Sequence, residues 1–178
     1  MALSHQWGHH STFSFLCQVG FEKLMTSARV FGLISAGPCF PPTFARKVRS
    51  KGAKAAGLRY EREVAMALPS ALHGQWFTYL DANGQAYCQP DLIFVTRQEI
   101  LVLEVKLKWT PKALDQLTYL YLPILSHVYA RPVRAAVITK ILTPSSPPPC
   151  HTIAEALLSP SHIIPLIHWL GTVTLLSP

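Results

Sequence analysis

Residues 99–108 constrain the fold more than any other stretch. Glu99–Lys108 reads as a β-strand with Leu101, Leu103, Val105 and Leu107 on one face and Ile100 and Val102 on the other, because strand side chains alternate with period two. A strand that is apolar on both faces belongs in the middle of a sheet covered on both sides. Glu104 and Lys106 share the second face with Ile100 and Val102. A buried carboxylate or ammonium is costly unless it is paired or bound to a metal. Taken alone, Glu-x-Lys is a common tripeptide. It reads equally as a buried ion pair or as a strand end emerging into water.

The segment before it adds a second carboxylate. Pro90-Asp91 precedes the apolar run Leu92-Ile93-Phe94-Val95, and Arg97-Gln98 makes a short link to the next strand. That link pairs residues 86–96 with 99–108 as antiparallel neighbours. Its centre at 97–98 sets Asp91 opposite Glu104. Proline inside a strand is confined to an edge, a first residue or a bulge, and a bulge can aim the carboxylate that follows it into a site. Two carboxylates and a lysine then converge. Carboxylate oxygens suit Mg²⁺, which is usually held by one or two protein carboxylates, waters and substrate phosphate.

The flanking elements follow from pattern. Lys51–Leu68 reads as a helix rich in alanine, with Tyr60, Val64 and Leu68 on one stripe, ended by Pro69. Glu61 sits beside that stripe and can reach inward at its rim; it reads equally as a surface acid beside Arg62 or Lys54. Gln75–Leu80 and the strand after Asp81-Ala82-Asn83-Gly84 form a hairpin, since Asn-Gly is a strong turn signal. The spacing predicts three antiparallel strands in a meander. Thr110-Pro111 then reads as a helix cap with proline at the first helical position, and Pro123 limits or kinks the helix end. Gln116 on this helix could bond a water or a phosphate, or simply face solvent. Val133–Thr139 is an apolar strand that can lie parallel to 99–108 through a right-handed crossover.

Three parts are expected. Residues 1–45 are poor in charge and period and read as an N-terminal extension, partly disordered or loosely packed. Residues 46–142 form the core. Residues 143–178 open on a Pro/Ser linker and continue as two short apolar helices over 152–158 and 162–170 that cover the sheet.

Charge points to the partner. The net charge is +7, and Arg46, Lys47, Arg49, Lys51, Lys54 and Arg59 crowd the entrance to the core. Such a run favours a polyanion such as nucleic acid, although it also fits a solvated helix face. The four cysteines, Cys17, Cys39, Cys88 and Cys150, contain no C-x-x-C pair, so zinc-ribbon and iron–sulfur readings have no support. No apolar run reaches the ~18–20 residues of a membrane span. We expect a cytoplasmic protein that does not engage membranes.

These residues together resemble the PD-(D/E)xK nuclease superfamily. The motif is similar to Pro90-Asp91 followed by Glu104-Val105-Lys106; the family's helix acid in a G-x-x-x-E pattern is matched by Gly57 to Glu61, and its helix glutamine by Gln116. The likeness spans about residues 50–140. It implies an α/β fold with a restriction-endonuclease-like αβββαβ core, a mixed central sheet flanked by helices. It implies a Mg²⁺-dependent DNA nuclease (Mn²⁺ substituting), endonuclease rather than exonuclease, acting through a metal-activated water. Asp91, Glu104, the Val105 carbonyl and Glu61 would be the metal ligands, Lys106 would orient the attacking water, and Gln116 would position substrate. The basic run would grip phosphates of duplex or branched DNA. Lys51-Gly52-Ala53 through Val64 is similar to the start of archaeal Holliday-junction resolvases, though no serine loop of their kind follows. Tyr119 and Tyr121 stand three and five after Gln116, unlike the Q-x-x-x-Y of the RecB-like branch. A homodimer would suit junction cleavage. A small phage or mobile-element nuclease, working in the host cytoplasm, is the expected setting. The alternative is a nucleic-acid-binding protein that keeps the fold and does not cut.

Overall fold

The structure, a computed structural model, describes residues 29–43 and 51–171. The tail read into residues 1–28 and the basic residues Arg46, Lys47 and Arg49 lie outside the described residues.

The chain is mixed α/β, built around one large sheet of mixed orientation. Its order is β2 (Leu72–His73), β5 (Leu92–Val95), β6 (Ile100–Lys108), β7 (Val133–Ile141), β9 (Leu166–His168) and β8 (Pro149–Cys150). β2, β5 and β6 pair antiparallel; β6, β7, β9 and β8 run parallel. The doubly apolar β6 is accordingly interior, with Ile100 through Val105 buried.

Two layers cover the two faces of β6. Helix α1 (Gly52–Ala67) lays Tyr60, Val64 and, just beyond it, Leu68 against Leu101, Leu103 and Val105. Tyr60 also donates its hydroxyl proton to the Trp169 carbonyl at 2.9 Å, and the short helix α4 (Ile153–Leu157) packs into the same layer. The opposite face, carrying Ile100 and Val102, is covered by the helical stretch 112–129 and by a small antiparallel sheet of β1 (Ser35–Cys39), β3 (Trp76–Asp81) and β4 (Gly84–Cys88). Among the described residues no helix is long and apolar enough to cross a membrane.

Four local differences from the sequence reading have physical causes. The predicted strand 86–96 is two strands, β4 and β5, in different sheets. Gln89-Pro90-Asp91 breaks the ladder between them, where proline has no N–H to donate. The expected meander is therefore a hairpin in the small sheet followed by a strand that enters the large one. Second, residues 162–170 hold β9 rather than a helix; Leu166–His168 pairs in parallel with β7, a short apolar run being compatible with either state. Third, within the charge-poor 1–45 stretch Ser35–Cys39 pairs with β3. Asp81 holds the approach to that strand, its Oδ2 accepting from Phe31 N at 3.1 Å and its Oδ1 from Asn83 N at 2.8 Å. Fourth, the helix after β6 is α2 (Lys112–Gln116), a π-helical turn over Leu117–Tyr121, and α3 (Leu122–Tyr129).

Candidate active site

The β5–β6 hairpin carries the site. Thr96 N donates to Glu99 O at 3.1 Å, and the ladder Val95↔Ile100, Phe94↔Leu101, Ile93↔Val102, Leu92↔Leu103 follows. Continued by one residue, this register sets Asp91 opposite Glu104, as the sequence predicts. Asp91 Oδ2 accepts a hydrogen bond from Val105 N at 2.7 Å. The carboxylate thus takes over the backbone donor that β5, having ended, no longer satisfies. N–H and C=O of one strand residue point to the same side, so the Val105 carbonyl lies on the same edge as Asp91.

Glu104 is fully buried, and its Oε1 accepts from Lys106 Nζ. Its Oε2 has no partner. A buried, unpaired carboxylate oxygen is an anomaly that asks for a ligand. Burial raises the Asp91 pKa well above the usual carboxylate range; the Glu104 charge raises it further, against the lowering effect of Lys106. Burial likewise raises Glu104, partly offset by the charge and hydrogen bond of Lys106. For Lys106, burial favours the neutral amine, but Glu104 and Asp91 outweigh it and its pKa ends raised. The three groups form one coupled acid–base cluster.

Glu61 sits at the rim. Its charge reaches Asp91, Glu104 and Lys106, but its carboxylate bonds His73 Nε2 at 3.0 Å. The structure therefore brings Asp91, Glu104 and Lys106 together and turns Glu61 toward β2. Among the described residues no group of three His, Cys, Asp or Glu side chains is gathered tightly enough to enclose a metal ion. Mg²⁺ does not require one, since waters and substrate phosphate usually complete its shell. Oxygen-only donors and an orphaned Glu104 Oε2 are of the kind such an ion takes, and Asp91 and Glu104 are the residues that could hold one.

Gln116 is half-buried and donates from Nε2 to the Tyr121 hydroxyl at 2.5 Å; Tyr121 donates in turn to Gln89 O at 3.0 Å. In an α-helix a five-residue spacing would put these side chains on different faces. The π turn, which closes i→i+5, aligns them. Burial, then the charges of Glu104 and Asp91, push the Tyr121 hydroxyl well up, so it stays a neutral donor. Gln89 and His73 were not singled out from sequence, and Tyr121 entered only as a residue at the wrong spacing from Gln116. The π turn has no sequence marker, and a lone histidine gives no sign of a partner twelve residues away. Of the basic run, Lys51, Lys54 and Arg59 are exposed.

No protein-family model, curated protein or solved structure matches this chain.

Proposed function

We propose that the chain is a metal-dependent nuclease that hydrolyses phosphodiester bonds of DNA at Asp91, Glu104 and Lys106. The observation that carries the reading is the buried Glu104, placed opposite Asp91 by the hairpin register, paired with Lys106 through one oxygen and unsatisfied at the other. A purely structural ion pair gives no reason to bury a second carboxylate against the first, because each raises the other's cost. Perturbed groups gathered in this way are characteristic of functional sites.

The division of labour follows from placement. Asp91 and Glu104 would hold Mg²⁺, with the Val105 carbonyl on the same edge. The ion when bound would neutralise charge on the scissile phosphate and acidify water. Lys106, held by Glu104 and with about 33% of its side chain still accessible, would orient the attacking water and offset charge building at phosphorus. Tyr121 would steady the Gln89–Asp91 corner, and Gln116 would fix Tyr121 rather than touch substrate. The exposed Lys51, Lys54 and Arg59 would contact flanking phosphates, which makes affinity fall with salt. The order of helix, hairpin, strand, crossing helix and parallel strand supports a restriction-endonuclease-like core, modified in that the first hairpin joins a separate sheet.

The test is cleavage of end-labelled duplex, branched and single-stranded DNA with Mg²⁺ or Mn²⁺, by the intact chain and by Asp91→Ala. Cleavage lost in the variant supports the reading. Binding by the intact chain without any metal-dependent cut overturns it in favour of a non-cleaving nucleic-acid-binding protein.

A further inference from the structure

The large sheet ends beside a groove that the catalytic reading does not use. β2 pairs with β5 as Leu72↔Ile93 and His73↔Leu92. The ladder ends at that pair: Gly74 follows His73 on one side and Asp91 precedes Leu92 on the other. Neighbouring strands lie about 5 Å apart, so the groove wall begins beside the strand pair whose next residue is Asp91. The groove is an open depression of about 430 Å³, lined by Phe40, Pro41, His73, Gly74, Gln75 and Trp76 among others.

Two connections tie this wall to the centre. His73 holds Glu61 through its Nε2, and Gln89, two residues before Asp91, donates from Nε2 to the Gly74 carbonyl at 3.1 Å. Gly74 has φ +71°, and a Cβ there would meet Gln89 Nε2 at 3.2 Å. The backbone conformation favours glycine, and a side chain there would push the Gln89 amide aside by a few tenths of an ångström. Phe40, which also lines the groove, is 92% exposed and followed by Pro41 and Pro42. An aromatic ring this exposed gains nothing for folding. Proline at the next two positions stiffens the backbone that presents it.

The geometry points to this groove as the seat for one unstacked nucleobase next to the scissile phosphate, with Phe40 as the stacking face; the substrate is thus a strand unpaired at the cleavage point. The inference rests on the nuclease reading for the position of the phosphate. A strand whose phosphate lies at Asp91 and Lys106 carries its adjacent base over Gly74, and aromatic faces hold bases regardless of sequence. In an intact duplex the base faces are already stacked, so a duplex cannot offer this contact without local opening.

The experiment measures binding rather than turnover. Single-stranded oligonucleotides carrying one 2-aminopurine, and blunt duplexes of the same length, are titrated with the full chain in EDTA, using Phe40→Ala and Phe40→Tyr as variants. The expected result is tighter binding of the single strand, quenching of 2-aminopurine, loss of affinity by about 5- to 150-fold in Phe40→Ala, and retention in Phe40→Tyr. Equal single-strand affinity of Phe40→Ala and the unsubstituted chain overturns the proposal. So does a preference for the intact duplex. Phe40-dependent binding without cleavage in Mg²⁺ leaves the groove standing and removes the nuclease reading instead.

Discussion

Replacing Lys106 by methionine isolates the electrostatics of the site. Methionine keeps most of the side-chain stem and removes the ammonium. Glu104, with no exposed surface, then loses the partner of Oε1 while Oε2 already lacks one. Breaking a buried pair by removing one partner costs about 3–5 kcal/mol. Lys106 keeps about a third of its side chain in solvent, which weakens the pair and brings the expected loss to about 2–3 kcal/mol near pH 8. Without Lys106 nothing opposes the effect of burial on Glu104, so its carboxyl binds a proton more readily and the loss should shrink near pH 5.5. Lys106→Met/Glu104→Gln should recover much of the deficit at pH 8. Urea denaturation in EDTA at both pH values reads all of this as shifts of midpoint at constant m-value. A Lys106→Met chain as stable as the unsubstituted one at pH 8, or a loss identical at both pH values, refutes the reasoning.

Three further outcomes follow from the same geometry. Asp91 has a pKa raised on folding, so the folded chain binds more protons than the unfolded one, and the contribution is present at low pH and lost as pH rises through the folded pKa. Without divalent cations, thermal stability should therefore be higher near pH 5.5 than near pH 8, and Asp91→Asn should flatten that difference; an unchanged slope counts against the assignment. Tyr121→Phe removes the hydroxyl that holds Gln89 O, so exchange of the Val105 amide, bonded to Asp91, should quicken by hydrogen-exchange NMR at a cost of about 1 kcal/mol; unaltered protection sinks the positioning role. Leu103→Ala opens a cavity beneath α1 and should cost about 2–5 kcal/mol by chemical denaturation. A loss under 1 kcal/mol would show that the layer relaxes.

The core hairpin was readable because its determinants are local. A two-residue link centres the register, and the double-sided hydrophobicity of 100–108 demands an interior strand. The stripe of Tyr60, Val64 and Leu68 needed only helical period. What escaped reading depends on contacts distant in the chain. Only Gln89-Pro90-Asp91 separates the apolar residues 86–88 from 92–95, with no glycine or turn dipeptide, so a strand that changes sheets looks like one strand with a bulge. Leu166–His168 form β9 because the edge of β7 is there to receive them. Glu61 lies at the rim of the centre, but its bond to His73 depends on β2, a two-residue strand with no pattern of its own. The five-residue spacing of Gln116 and Tyr121 looked like a departure from a helical pair until the π turn brought the two together.

The central claim is tested most directly by single-turnover cleavage of labelled DNA in Mg²⁺, comparing the intact chain with Glu104→Gln and Lys106→Ala, each first shown to be folded. The account predicts cutting that EDTA abolishes and that falls by about a hundredfold or more in each variant, with DNA binding retained. Cleavage that persists in EDTA, or that proceeds at the same rate without the Lys106 ammonium and the Glu104 carboxylate, would contradict it.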